Sequence, residues 1–302
     1  MSENKRRPSG ILQALAGIAG FGALAGVMVT AMISPALAVT SVGATSAIGV
    51  FDALPEFIEM GDQAQKNTLW AQNTQDPADG YTAFAEVYWQ DREEIALEDM
   101  SPYLVAAAVA GEDRRFYDHT GVDINSIVRA ALGNVFSGGI ESGASTLTMQ
   151  LVKNTYIQRS QYLPTAEERQ AAYAVAIETS FQRKLNEMKL AIGVEKQYTK
   201  EEILEAYLNI TGFGGNTYGV QAASQQYFGK PAKSLSPAEA ASLLAIVQYP
   251  TTRNLSNPEN YAANQERRDI ILAAMFAEDY LTQAQYDRAI ATPVDSSFVT
   301  IS

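Results

Sequence analysis

Hydrophobic and polar positions divide the chain into three stretches. From Ile11 to Val50 no charged residue occurs, and Ile11–Ile33 reaches the ~20 apolar residues that a helix needs to cross a bilayer. From Asp62 to Gly80 the chain is polar, with turn formers Asn73, Gln75, Asp76, Pro77 and Gly80. Around it, Thr68–Trp70 and Tyr81–Trp89 predict two short strands in a small hairpin. From Ser101 onward the pattern is helical. Ser101-Pro102 sets an N-cap and a first-turn proline before an Ala/Val-rich run. Asp123 precedes apolar positions Ile124, Ile127, Val128, Ala131, Leu132 and Val135. Ile177, Phe181, Leu185, Met188 and Ile192 step by three or four and predict one face of a long helix. Thr199/Glu202, Ser236/Glu239 and Thr282/Gln285 are spaced as capping boxes, and the second of these helices stops before Pro250. The expected fold is mainly α with a small β element at its entry. The expected segments are a basic tail 1–10, an anchor 11–37, a connector 38–100, a helical domain 101–295 and a tail 296–302.

Charge orients this plan. Lys5, Arg6 and Arg7 precede the apolar span, so they stay cytoplasmic and the helical domain lies outside. Ala36-Leu37-Ala38 has the form of a signal-peptidase site, but cleaved signals have a core of about 7–15 residues and this one is longer. A retained single-pass anchor is the expectation. The chain of 302 residues carries net charge −12, which excludes nucleic-acid binding through its overall field. It has no cysteine and a single histidine, His119, which exclude disulfides, thiolate metal sites and multi-His centres.

Three clusters carry chemistry against this acidic background. The first, Gly111-Glu112-Asp113-Arg114-Arg115-Phe116-Tyr117-Asp118-His119-Thr120-Gly121, follows an apolar helix directly. Its plain alternative is a solvated helix end. The second runs from Gly143 through Ser145 and Thr146 to Gln150, Lys153 and Asn154, after Gly138-Gly139. Small hydroxyl residues open a helix there, whose free N–H groups favour an anion, and Gln150 and Lys153 share a face. The third is Arg183-Lys184-Leu185-Asn186-Glu187, either a surface ion pair or a carboxylate held beside phosphate-binding cations.

Together these runs resemble glycosyltransferase family 51, the peptidoglycan glycosyltransferase domain of class A penicillin-binding proteins. The matching motifs are Glu112-Asp113-x-x-Phe116-Tyr117-x-His119-x-Gly121, Gly143-x-Ser145-Thr146-x-Thr148-x-Gln150 with Lys153-Asn154, and Arg183-Lys184-x-x-Glu187. A fourth runs from Ile203-Leu204-Glu205-x-Tyr207-Leu208-Asn209 to Tyr227-Phe228-Gly229-Lys230, and a fifth is Leu235-x-x-x-Glu239-x-Ala241-x-Leu243. Asn257-Pro258 and Arg267-Arg268 also fit, so the resemblance covers about Met100 to Pro293.

The resemblance implies a lysozyme-like helical glycosyltransferase domain, with 296–302 the start of a linker. It implies polymerisation of lipid II, a disaccharide-pentapeptide on undecaprenyl pyrophosphate, into β-1,4-linked glycan with inversion. The partners implied are lipid II, the growing glycan chain, the cytoplasmic membrane and the cell-wall synthesis machinery. Glu112 matches the catalytic base and Glu187 the second essential carboxylate. Lys153, Arg183 and Lys184, with Arg129, are the candidates for the diphosphate sites, Arg129 fitting a plain amphipathic helix face equally well, and Asp113, Phe116, Ser145, Thr146 and Gln150 complete the candidate substrate contacts. His119 is assigned a structural role. No cofactor is required, and a divalent cation (Mg or Mn) at the pyrophosphate stays open. Moenomycin, a phosphoglycolipid that mimics the donor, is the expected inhibitor.

Three departures qualify the match. Met149 stands where the family has a second Gln, so one polar substrate contact is expected to be missing. Asn154 to Arg183 spans 183 − 154 = 29 positions, and Pro164 with Glu167, Glu168 and Arg169 reads as an inserted loop. No K-T-G triplet occurs, and the single S-x-x-K is Ser2 to Lys5, so the chain reads as the first part of a bifunctional protein, without its transpeptidase half. Two alternatives stay beside this reading: a lysozyme-like lytic enzyme, which also uses a Glu at a helix end, and a noncatalytic membrane-anchored scaffold.

Overall fold

A helix without charge until its last residue is buried in the core of the helical part. This is α1 (Pro102–Glu112), whose Leu104 and Ala106 to Ala110 are all buried. Ser101 caps it, its Oγ accepting from Tyr103 N at 3.3 Å and donating to Leu235 O at 2.8 Å. The alanine run leaves little bulk, so neighbouring helices approach closely.

The computed structural model describes residues 67–72, 81–87, 91–129 and 145–300, all within a unit spanning Pro55–Ser302. The expected anchor, residues 11–37, and the glycine-rich approach at 138–144 lie outside the described residues. Among the described residues no helix is long and apolar enough to cross a membrane.

The described part is mainly helical. After α1 come a helical segment over 124–129, α2 (Leu147–Gln161), α3 (Ala166–Ile177), α4 (Phe181–Glu195) and α5 (Lys200–Ile210). There follow α6 (Val220–Phe228), α7 (Pro237–Val247), the single turn α8 (Pro250–Arg253), α9 (Tyr261–Ala277) and α10 (Gln283–Ala291). Strands β1 (Asn67–Gln72) and β2 (Tyr81–Val87) pair antiparallel, Asn67 opposite Val87 and Gln72 opposite Tyr81, with a shift of register between Leu69 and Trp70.

Two sets of helices pack around the site. In one, α9 lies on α7 and α1, and α1 on α7; in the other, α2 lies on α3, α4 and α5. The apolar periodicity of α5 and α7 buries Ile203, Leu204, Tyr207, Leu208, Leu243 and Leu244 in the shared core. All three expected capping boxes form, at Thr199/Glu202, Ser236/Glu239 and Thr282/Gln285.

Two expectations about local structure are corrected. The residues read as an inserted loop form α3, started by a fourth capping box in which Glu168 N donates to Thr165 Oγ1 at 3.2 Å and Thr165 N to Glu168 Oε2 at 3.0 Å. The expected long helix from Ile177 to Ile192 is two elements. Ile177 ends α3, and Ser180 caps α4, accepting from Arg183 N at 3.2 Å. In the 124–129 segment, Ile124 and Val128 are 70% and 51% exposed, so this apolar stripe faces solvent in the described structure.

Candidate active site

Glu112 is the last residue of α1, and its carboxylate is held from both sides. Arg267 Nη2, from α9, lies 3.2 Å from Oε1. Gln150 Nε2, from α2, donates to Oε2 at 3.1 Å. Gln150 is itself fixed by the hydroxyl of Tyr207 on α5, which donates to Gln150 Oε1 at 3.2 Å. Burial first, and the charge of Glu112 second, push the Tyr207 hydroxyl well above its ordinary range, so it stays a proton donor. Helices from both sets thus converge on one carboxylate.

The turn after α1 is a buried framework. Asp113 Oδ2 accepts from Leu147 N at 3.0 Å and lies 2.9 Å from His119 Nε2. Lys200 Nζ donates to His119 O at 2.8 Å and to Glu195 Oε2 at 2.6 Å, and sits 4.3 Å over the ring of Phe116. Phe116 is fully buried. Gly121 has φ +92°, and a Cβ there would lie 2.6 Å from Ala191 O, so a glycine is required. Thr146 caps α2, its Oγ1 donating to Gly121 O at 2.7 Å and accepting from Met149 N at 3.1 Å. Asp113, Phe116, Thr146 and His119 therefore tie the start of α2 to the end of α1. Met149 is buried in the core and lines neither of the clefts described below.

The third cluster gathers cations. Arg183 and Lys184 both pair with the buried carboxylate of Glu187, Lys184 Nζ at 3.1 Å from Oε2. Lys184 Nζ also donates to Ser145 Oγ, which joins α4 to the start of α2. Burial first, then the charges of Arg183 and Lys153, push Lys184 down to about 8 despite Glu187. Lys153 is lowered too, by burial first and Arg183 second, while Glu112 opposes the shift. Cations crowded at partly dry positions repel one another, and a bound anion relieves that repulsion.

Two clefts meet at Glu112. The first, about 410 Å³, is lined by Glu112, Ser145, Gln150, Lys153, Asn154 and Gln158 among others. The second, about 580 Å³, has Glu112, Asp113, Arg114, Arg115, Arg129 and Arg267 in its wall, with Thr146. A larger apolar cleft of about 760 Å³, between Leu97, Val105, Tyr117 and Tyr280, has no basic side chain in its lining. An anionic ligand has no cationic partner among those lining residues.

The comparisons with known proteins meet this geometry. A model of the transglycosylase family matches residues 80–276. The chain belongs to the transglycosylase family. Penicillin-binding protein 1A of Pseudomonas aeruginosa is 38% identical over 208 residues, 68% of this chain and 23% of that protein. Penicillin-binding protein 1F of Bacillus subtilis is 36% identical over 199 residues, 66% of this chain and 25% of that protein. The chain thus spans about a quarter of the length of these curated relatives. A crystal structure of penicillin-binding protein 1A from Haemophilus influenzae aligns with a TM-score of 0.38 at 21% identity, over 74% of this chain and 20% of that one.

Within this member of the transglycosylase family, Glu112, Gln150, Lys153 and Ser145 share one cleft, and Arg129 and Asp113 share the other. Sequence reasoning missed Tyr207 and Arg267 as site residues. Tyr207 was legible as a member of the fourth motif and Arg267 as half of a matching Arg-Arg pair, but neither motif pointed to a contact with Glu112 or Gln150.

Proposed function

We propose that the chain is a peptidoglycan glycosyltransferase that polymerises lipid II into β-1,4-linked glycan. The observation that carries this reading is the Glu112 carboxylate at the junction of two clefts, one lined by Lys153 and the other by Arg114, Arg115, Arg129 and Arg267. An elongation reaction between two diphosphate-linked sugars needs such an arrangement.

The growing chain is the donor, its diphosphate beside Lys153, Arg183 and Lys184. A new lipid II is the acceptor, its diphosphate toward Arg114, Arg115 and Arg129. The acceptor 4-hydroxyl oxygen forms a bond to the donor's anomeric carbon as Glu112 takes the hydroxyl proton. The bond from that carbon to the diphosphate breaks, the electron pair leaves with undecaprenyl pyrophosphate, and the cations offset the charge that develops. Attack opposite the leaving group converts the α-link to β. Glu187 orients Arg183 and Lys184 toward the diphosphate. A divalent cation, magnesium or manganese, would offset charge on the diphosphate if one binds there. A lytic enzyme has no diphosphate to hold, and these cations would then have no ligand.

The helical domain is lysozyme-like, residues 11–37 form a single-pass anchor in the cytoplasmic membrane, and the catalytic domain faces outward, where it meets the cell-wall synthesis machinery. The test is to incubate the purified chain with labelled lipid II and separate the products on a gel. Long glycan is the expected product. Unchanged lipid II, or shortening of preformed glycan, contradicts the proposal.

A further inference from the structure

Arg267 touches the one carboxylate on which the proposed reaction depends, across 155 positions of sequence. A carboxylate in the last turn of a helix faces the negative end of the helix dipole, where unpaired carbonyls add to the repulsion. Arg267 offsets both. Its Nη2 donates to Gly111 O at 3.0 Å and lies 3.2 Å from Glu112 Oε1, so one guanidinium nitrogen binds the helix end and the side chain together. Helix packing explains how it gets there. A Cβ at Gly111 would meet Ile271 at 3.1 Å, so the glycine lets α9 lie close to the end of α1. Arg267 is one turn before Ile271 on α9 and shares its face.

We infer that Arg267 is a positioning residue, which aims the Glu112 carboxylate at the junction of the two clefts. It works with Gln150, which holds the other oxygen and is fixed by buried Tyr207. The carboxylate is thereby held at both oxygens, at the junction of the two clefts. Arg267 is not assigned a donor contact, because it lines the second cleft and not the Lys153 cleft. This inference rests on Glu112 as the proton acceptor.

Misplacing a reacting group by about 1 Å costs on the order of 10²-fold in rate. Arg267→Gln should therefore lower kcat by about 10- to 100-fold, with moenomycin affinity, which reports the donor cleft, within about 2-fold of wild type. Arg267→Lys keeps the charge but loses the planar fork, and should fall in between. A double-mutant cycle separates positioning from support of the fold. Glu112→Asp shortens the side chain and withdraws it from Arg267, so Arg267→Gln added to Glu112→Asp should cost less than about 3-fold. If Arg267→Gln does not fold, the same cycle is run with Arg267→Lys. An unchanged kcat in the single variant overturns the inference, as does an equal loss on both backgrounds or a loss of moenomycin affinity that follows a lowered Tm. Wild-type turnover by Glu112→Gln is a different result: it removes the base assignment itself.

Discussion

Lys184 shows how a residue's surroundings set its task. Its ammonium is pushed down to about 8 by burial, then by Arg183 and Lys153, although Glu187 lies 3.1 Å away. The folded value lies below the ordinary one, so the folded state binds the proton less tightly than the unfolded state does. The protonated form therefore costs stability below pH 8, and that cost fades as pH rises from about 8 toward the ordinary value of 10.5. A bound phosphate favours the ammonium and reverses the balance. Moenomycin affinity should accordingly weaken as pH rises above about 8, and Lys184→Gln should flatten that dependence. Calorimetric titration on either side of pH 8 checks it, and an equal slope in the variant contradicts it. The clustered residues around Lys184 were legible because α2 and α4 each present their motif within a few positions. Arg267 was not, because only the close packing of α9 on Gly111 brings it to Glu112. Asp113, Phe116 and Thr146 were legible as motif members, but the sequence could not separate wall from framework; Phe116 is buried beneath Lys200.

At the scale of elements, capping boxes were the most readable signal, since the side chains that make them lie three residues apart. The α3 helix escaped notice for a physical reason. Among its residues only Ala176 is buried, so it lacks the apolar stripe from which helices are read. Ile177 at its end then continued the spacing of α4, and Ser180 marked the break only as a cap. Because α3 owes so much to its cap, Thr165→Ala should destabilise it by about 1 kcal/mol. Hydrogen exchange should show lost protection over 166–177 with little change elsewhere, and unaltered protection would refute the argument. Gly121 is the opposite case, a point where two elements are locked. It has φ +92°, and an added Cβ would come within 2.6 Å of the Ala191 backbone. Gly121→Ala should therefore cost more than ~1 kcal/mol and lower Tm in calorimetry. A Tm equal to wild type would show that the turn can relax.

The whole molecule sets an acidic chain of net charge −12 against a site that gathers cations at Lys153, Arg183 and Lys184. An anionic ligand would be drawn to those groups by local charge and not by the overall field. On α3, Tyr173, Val175 and Ile177 are exposed, and Tyr162 just before it is exposed as well. A protein lacking the residues before Val50 should therefore still sediment with vesicles, and Val175→Lys with Ile177→Lys should reduce that several-fold. Equal sedimentation of both would place the contact elsewhere. The central claim, that one carboxylate between two cationic clefts performs the transfer, is tested most directly by Glu112→Gln. This change keeps the shape and removes the proton acceptor. The rate of lipid II polymerisation should fall by ~10² to 10⁴-fold with moenomycin affinity retained, whereas Glu187→Gln should lose both. Polymerisation by Glu112→Gln within a few-fold of wild type across neutral pH would contradict the account.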